Sequence, residues 1–151
     1  YERLVYAEEV AQSVFAFNGS AEIAGSLTIQ LTAREGGALT RLERETLEEI
    51  ARLATEGPTP AEVQQAITRA EAGSVFALTS VAGKADRLNN YQTMRGQADL
   101  FNQDLARTRA VTPDDVRRVA RTYLNGKPKV ALSVVPLGHP ELAARPAEAT
   151  P

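Results

Sequence analysis

The sequence predicts an α+β fold, an antiparallel sheet with several helices packed on it. Three observations carry that expectation. Residues 25–34, GSLTIQLTAR, alternate apolar and polar side chains; Thr-Pro pairs at 59–60 and 112–113 announce helices; and KVALSVVP at 129–136 is a short apolar run rich in valine.

The first strand is expected over residues 10–17, VAQSVFAF, and the second over 25–34, with NGSAEIAG as the turn between them. In the second strand Leu27, Ile29, Leu31 and Ala33 share one face and Ser26, Thr28, Gln30 and Thr32 the other, as in a strand with one wet side. A helix over about 40–56 follows, with Thr40 and Glu43 as its capping pair, Leu39, Leu42, Leu47, Ile50 and Ala54 marking its apolar face, and Gly57-Pro58 as its stop. TPAE restarts at once: Thr59 caps, Pro60 suits the first turn and Glu62 closes the box, giving a helix over about 60–80. After a break near Gly83 the helical pattern resumes over 84–95, with a shorter stretch near Leu100 to Leu105. VTPDDVRRVARTYLNG is the clearest helix, over 113–124, with Thr112 as cap, Val116, Val119, Ala120 and Tyr123 on one face, and Asn125-Gly126 as stop. Residues 129–135, apolar on both faces except for Ser133, are expected as a central, covered third strand. One domain over 1–136 and a linker or disordered tail over 137–151, rich in Gly, Pro, Ala and Glu, complete the organisation.

Composition narrows the function. With 43% hydrophobic and 24% charged residues, a chain of 151 residues can bury a core. No run approaches the roughly 20 apolar residues of a membrane span. The net charge is −2, from 17 basic and 19 acidic residues, and no basic patch marks a nucleic-acid partner. Cysteine is absent, which removes disulfides, thiolate metal sites and thiol nucleophiles, and suits the cytoplasm and the bacterial periplasm alike.

Chemistry-bearing residues are sparse. His139, the only histidine, lies in the proline-rich tail, where no rigid ligand geometry is available. Serines 13, 20, 26, 74, 80 and 133 lack a G-x-S-x-G turn and a base to take a proton. The pairs Glu8-Glu9, Glu48-Glu49 and Asp114-Asp115 are sequence neighbours, which on a helix point about 100° apart and suit solvation or the helix dipole better than shared catalysis. Gly36-Gly37 and AGK at 82–84 do not complete a phosphate loop, and Lys84 and Tyr91 read as a solvated lysine and a half-buried tyrosine. No catalytic, cofactor-binding or metal-ligating residue is therefore assigned.

The segments RLVYAEEVAQSV, EEIARLATEGPTPAEVQQA, GKADRLNNYQT, DLARTRAVTPDDVRRVARTYL and KVALSVVP, in that order, resemble the later part of a domain of the pitrilysin/insulinase family of zinc metallopeptidases over residues 1–136. The resemblance implies a clamshell of repeated α/β domains, the first carrying the inverted zinc motif H-x-x-E-H and the others enclosing a peptide. In related domains the opening segment is a helix leading into R-G-L-A-Y-S-V, with an arginine seven residues before the tyrosine, both reaching into the active site. Val5 and Gln12 stand at those two positions here, and neither can donate to an oxyanion as arginine and a phenol do.

The resemblance thus implies a non-catalytic domain of a zinc-dependent endopeptidase. It would line the substrate chamber and pack on a catalytic domain, in the same or a partner chain, that holds the zinc; this chain would hold none. Peptide is the implied substrate, nucleic acid and a membrane span are not, and the resemblance leans towards the periplasm. The alternative is an inactive scaffold of the same fold that acts only through protein–protein contacts. The opening at Tyr1, with core-like Leu4 and Val5 and no polar lead-in, reads as a piece of a longer polypeptide lacking its first strand and helix start. On that reading residues 1–17 would pair with a second copy, as a homo-oligomer, or be the least ordered part of the fold.

Overall fold

The computed structural model describes residues 1–144 and divides the chain into two units, residues 1–51 with those from 125 onward, and residues 52–124. The antiparallel sheet and the helices expected from the sequence are present, and the class is α+β.

The first unit opens with a π-type helical turn, Glu2–Ala7, which ends where the Glu8 N–H donates to the Arg3 carbonyl at 2.7 Å. Glu9 then takes φ +51, and among the described residues no other non-glycine has positive φ. That left-handed step turns the chain into β1 (Ala11–Ser20), which pairs antiparallel with β2 (Gly25–Ala33). The sheet has these two strands, and its register slips between Ala11 and Ser13, so Gln12 is the extra residue of a β-bulge. Leu4, Val5, Val10 and Ala11 are buried together with Leu42 of α1 (Leu39–Thr55), and Val14, Leu31 and Ala33 pack against them. The apolar opening of the chain is thus core of its own unit.

A charge network closes the polar side. Arg3 donates to Glu45 and Glu49 at 2.7 Å each and to Glu48 at 3.1 Å, while Arg41 pairs with Glu8 at 2.9 Å. Glu45 is only 6% exposed. Burial raises its pKa, but hydrogen bonding from Arg44 and the charges of Arg3, Arg44 and Arg41 outweigh burial and hold the carboxyl below its ordinary value. The carboxylates in turn push the Arg3 guanidinium upward, chiefly through hydrogen bonds to Glu49 and Glu48.

In the second unit, α2 (Pro60–Ala77), α3 (Val81–Arg95), α4 (Phe101–Arg109) and α5 (Pro113–Tyr123) follow one another. Thr59 and Thr112 both make complete capping boxes, with Glu62 and Asp115. Gly57, at φ +77, ends α1 as expected. Val63 and Ile67 of α2, Ala54, Tyr91 and Ala120 are the buried apolar residues of this unit. The break placed near Gly83 falls earlier, at 78–80: Ser80 caps α3 by accepting from the Gly83 N–H at 3.0 Å, and Gly83 lies inside the helix. The Asp115 carboxyl is likewise held low, first by the Thr112 hydroxyl and backbone N–H and then by Arg118.

Both depressed carboxylates set the acid limb of stability. A folded-state pKa below the unfolded value contributes stability that is fully present above the unfolded pKa, about 4, and is lost as pH falls through the lower folded value. Melting temperature is expected to hold above about pH 5 and to fall steadily below pH 4. Glu45→Gln should flatten that fall, and a variant whose acid limb matched the parent in melts across pH 2–7 would show that the network contributes nothing.

The third strand is the main correction. Residues 127–136 carry no regular secondary structure and belong to no sheet, and Val130, Leu132 and Val134 are 98%, 87% and 85% exposed rather than central and covered. An apolar segment is a strand only when another strand satisfies its N–H and C=O groups, and none among the described residues does. Of the tail, 137–144 includes a short 3₁₀ turn at Pro140–Leu142, and the remainder of that expectation, 145–151, lies outside the described residues.

Candidate functional site

The residues singled out by chemistry do not converge. His139 lies beside Glu141 at 3.0 Å, a pairing of two exposed neighbours in the tail. The three acidic pairs all serve in charge pairing or capping: Glu8 with Arg41, Glu9 with Arg34 at 3.6 Å, Glu48 and Glu49 with Arg3, Asp114 with Arg117 at 3.0 Å, and Asp115 with the Thr112 cap. Ser80 is a helix cap, and Ser133 Oγ accepts from the Ala144 N–H at 3.1 Å. Gly36, at φ +74, belongs to the connection into α1, with its neighbour Gly37 donating to the Arg34 carbonyl. Lys84 is exposed and Tyr91 buried, the latter with its hydroxyl unpartnered and an Arg87 guanidinium 5.8 Å from its ring. Burial first, and Asp104 second, push the Tyr91 phenol upward, which makes it a poorer proton donor or base at neutral pH.

Val5 is 6% exposed and packed in the first unit's core, and Gln12 sits exposed in the bulge of β1. Neither combines a polar donor with a concave site. Setting Gln12 against the tyrosine of R-G-L-A-Y-S-V places Glu9 on the glycine. Its φ of +51 is the left-handed conformation that glycine adopts freely. Glu9 thus takes a glycine-like conformation, while Val5 and Gln12 carry neither a guanidinium nor a phenol.

The concave surface that sequence reasoning missed lies within the second unit. A cavity of about 300 Å³ is lined by Val63, Ala66 and Ile67 of α2 with Val111 and Val116. A second, of about 430 Å³, shares Val111 and Val116 and continues over Val119 and Leu124. The lining is apolar. Its charged members are Glu62 and Asp115, which close the two capping boxes, and Arg118, which pairs with Asp115. Such a trough can take an aliphatic side chain but has no group to activate water. The amphipathic pattern of α5 was its only signal in the sequence.

A zinc centre does not fit these residues. Among those described, no group of three or more His, Cys, Asp or Glu side chains could hold a metal ion. The donor set is a lone tail histidine and carboxylates already held by arginines or caps. No helix among them is long and apolar enough to cross a membrane.

The chain is similar to known proteins of one kind. The family model described as the peptidase M16 inactive domain matches residues 1–70. An uncharacterized zinc protease of Streptomyces coelicolor is 29% identical over 85 residues, covering 56% of this chain and 18% of its own. The crystal structure of a protease from Helicobacter pylori is similar with a TM-score of 0.68 and 18% identity, over 79% of this chain and 29% of that one. The chain thus spans less than a third of the length of either protein.

Proposed function

With residues 1–70 carrying the pattern of an inactive domain of the pitrilysin-type zinc proteases, we propose that the chain, as one domain over 1–136, is a non-catalytic wall of a zinc-dependent endopeptidase. It packs on a catalytic domain bearing H-x-x-E-H, in the same polypeptide or a partner, and lines the chamber that receives peptide. The observation that supports this is the segment around residues 5–12: Glu9 makes a left-handed, glycine-like turn where the resemblance implies a glycine, while Val5 is buried as core and Gln12 stands where the resemblance implies a phenol. A protein keeping that backbone for catalysis would need the donors; one keeping it for architecture needs the fold alone. Zinc, on this reading, is held in the other domain.

The experiment has two arms. The chain alone should retain less than one zinc per molecule after dialysis at neutral pH and should leave an unstructured casein peptide uncut, and a tightly held stoichiometric zinc would refute the inactive-wall reading. The polypeptide that carries H-x-x-E-H should then cleave that peptide faster with this chain present than without it. Binding with no change in cleavage would favour the scaffold alternative instead.

A further inference from the structure

Two of the five asparagines, Asn18 and Asn125, are followed by glycine. In such a pair no Cβ on the second residue blocks its backbone nitrogen from approaching the side-chain amide carbon of the first. Both pairs are exposed, so solvent access does not separate them. Backbone freedom does. Asn18 and Gly19 lie in β1, paired with Leu27 and Ser26 of β2, and Asn18 Nδ2 donates to Ser20 Oγ at 3.0 Å. Asn125 and Gly126 lie in the turn after α5, beyond the Leu124 N–H that donates to the Ala120 carbonyl at 3.0 Å. Among the described residues the Gly126 N–H donates to no backbone group and the Asn125 side chain makes no hydrogen bond. Asn89, Asn90 and Asn102 lie inside α3 and α4, and no glycine follows them.

We propose that Asn125 is a site of spontaneous covalent modification, converting through a succinimide to aspartate and isoaspartate while Asn18 keeps its amide. The Gly126 backbone nitrogen attacks Asn125 Cγ: the N–Cγ bond forms, the Cγ–Nδ2 bond breaks, and the amide nitrogen leaves as ammonia with the proton that the attacking nitrogen gives up. Solvent water then opens the ring. Addition at Cγ restores the ordinary backbone with an aspartate side chain, and addition at the main-chain carbonyl carbon leaves an isoaspartyl link that runs through Cγ. Ring closure requires rotation about the bonds on either side of the asparagine Cα, which the ladder denies to Asn18 and nothing among the described residues denies to Asn125. Either product adds one negative charge to a chain of net charge −2, just past the C-terminal end of α5, where the helix dipole disfavours it. The isoaspartyl product also lengthens the main chain leading into 127–136 by one carbon. Both reacting atoms belong to consecutive residues of this chain, so the inference stands or falls separately from the wall reading.

The test is prolonged incubation of the chain in mildly alkaline buffer, folded and in denaturant, followed by peptide mass mapping and by labelling with an isoaspartyl methyltransferase. In the folded chain Asn125 should lose its amide roughly tenfold or more faster than Asn18, because β1 must open locally before Asn18 can react. In denaturant the two should convert at similar rates, and the methyl label should fall on the peptide containing residue 125. Gly126→Ala should slow the folded reaction: its Cβ would meet no other group within 4 Å, so the turn has room for it, but it hinders the attacking nitrogen. Three results would each overturn the proposal: an Asn125 amide that survives in the folded chain while it is lost in denaturant, equal conversion of Asn18 and Asn125 in the folded chain, or an unchanged rate in Gly126→Ala.

Discussion

Val5→Arg, the substitution that would put back the arginine of the catalytic pattern, is expected to unfold the first unit rather than to equip it. Val5 sits among Leu4, Val10, Ala11 and Leu42, and its carbonyl accepts from Arg34 Nη2 at 3.2 Å. A guanidinium there would meet apolar neighbours, and an uncompensated buried charge costs about 3–5 kcal/mol, to which the added volume contributes about 1–3 kcal/mol more. The sum is comparable with the whole stability of a small domain, roughly 5–15 kcal/mol. Denaturant titration followed by circular dichroism should show the variant largely unfolded without denaturant. Val5→Leu, which stays apolar, should cost less than about 1.5 kcal/mol. Gln12→Tyr, at an exposed bulge, should be nearly neutral, and neither it nor Val5→Arg should bring peptidase activity to this chain. A stable Val5→Arg protein would mean that the opening turn can swing its side chain out of the core, and would reopen a catalytic reading.

What could be read from the sequence was what neighbouring residues decide. Thr59 with Glu62 and Thr112 with Asp115 are contacts across three residues, so their helices began where the letters placed them. Leu39 opens α1, so Thr40, expected as its cap, lies inside the helix instead of ahead of it. The β1–β2 hairpin was legible because its partner strands lie a few residues apart. Residues 129–135 are as apolar as a covered strand, but a strand is completed by a partner that may lie anywhere, and an apolar run says nothing of whether one is present. The charge network escaped for a related reason: Arg3 meets Glu45 across 42 positions, a distance that no local pattern reports. The site reading depended on absences of residue type, which a sequence displays fully, whereas the apolar trough of the second unit needed three helices brought together.

Gly83→Ala is expected to be the most damaging single-methyl change in the second unit. Gly83 reads in the sequence as a helix breaker, yet it lies in the first turn of α3 and its N–H donates to the capping Ser80 Oγ. The reason for glycine there is proximity. A Cβ would stand 1.9 Å from the carbonyl oxygen of Ala77, the last residue of α2, and 3.0 Å from both the Ala77 carbonyl carbon and Ser80 Oγ. Backbone oxygen cannot rotate away as a side chain can, so the α2–α3 connection must open or the cap must break. Overpacking of this kind costs about 3 kcal/mol or more, and losing the cap adds about 1 kcal/mol. At about 2–4 °C per kcal/mol for a chain of this size, the melting temperature should fall by roughly 8–16 °C. Gly73 supplies the opposing case: it lies inside α2 with open space where its Cβ would go. Gly73→Ala should therefore raise stability by about 0.5–1 kcal/mol, through helix propensity alone. The same methyl group is thus expected to act with opposite signs ten residues apart, which helix propensity by itself does not predict. Equal effects of the two substitutions in calorimetry would show that the Ala77 carbonyl does not approach Gly83 and that α2 and α3 are joined differently.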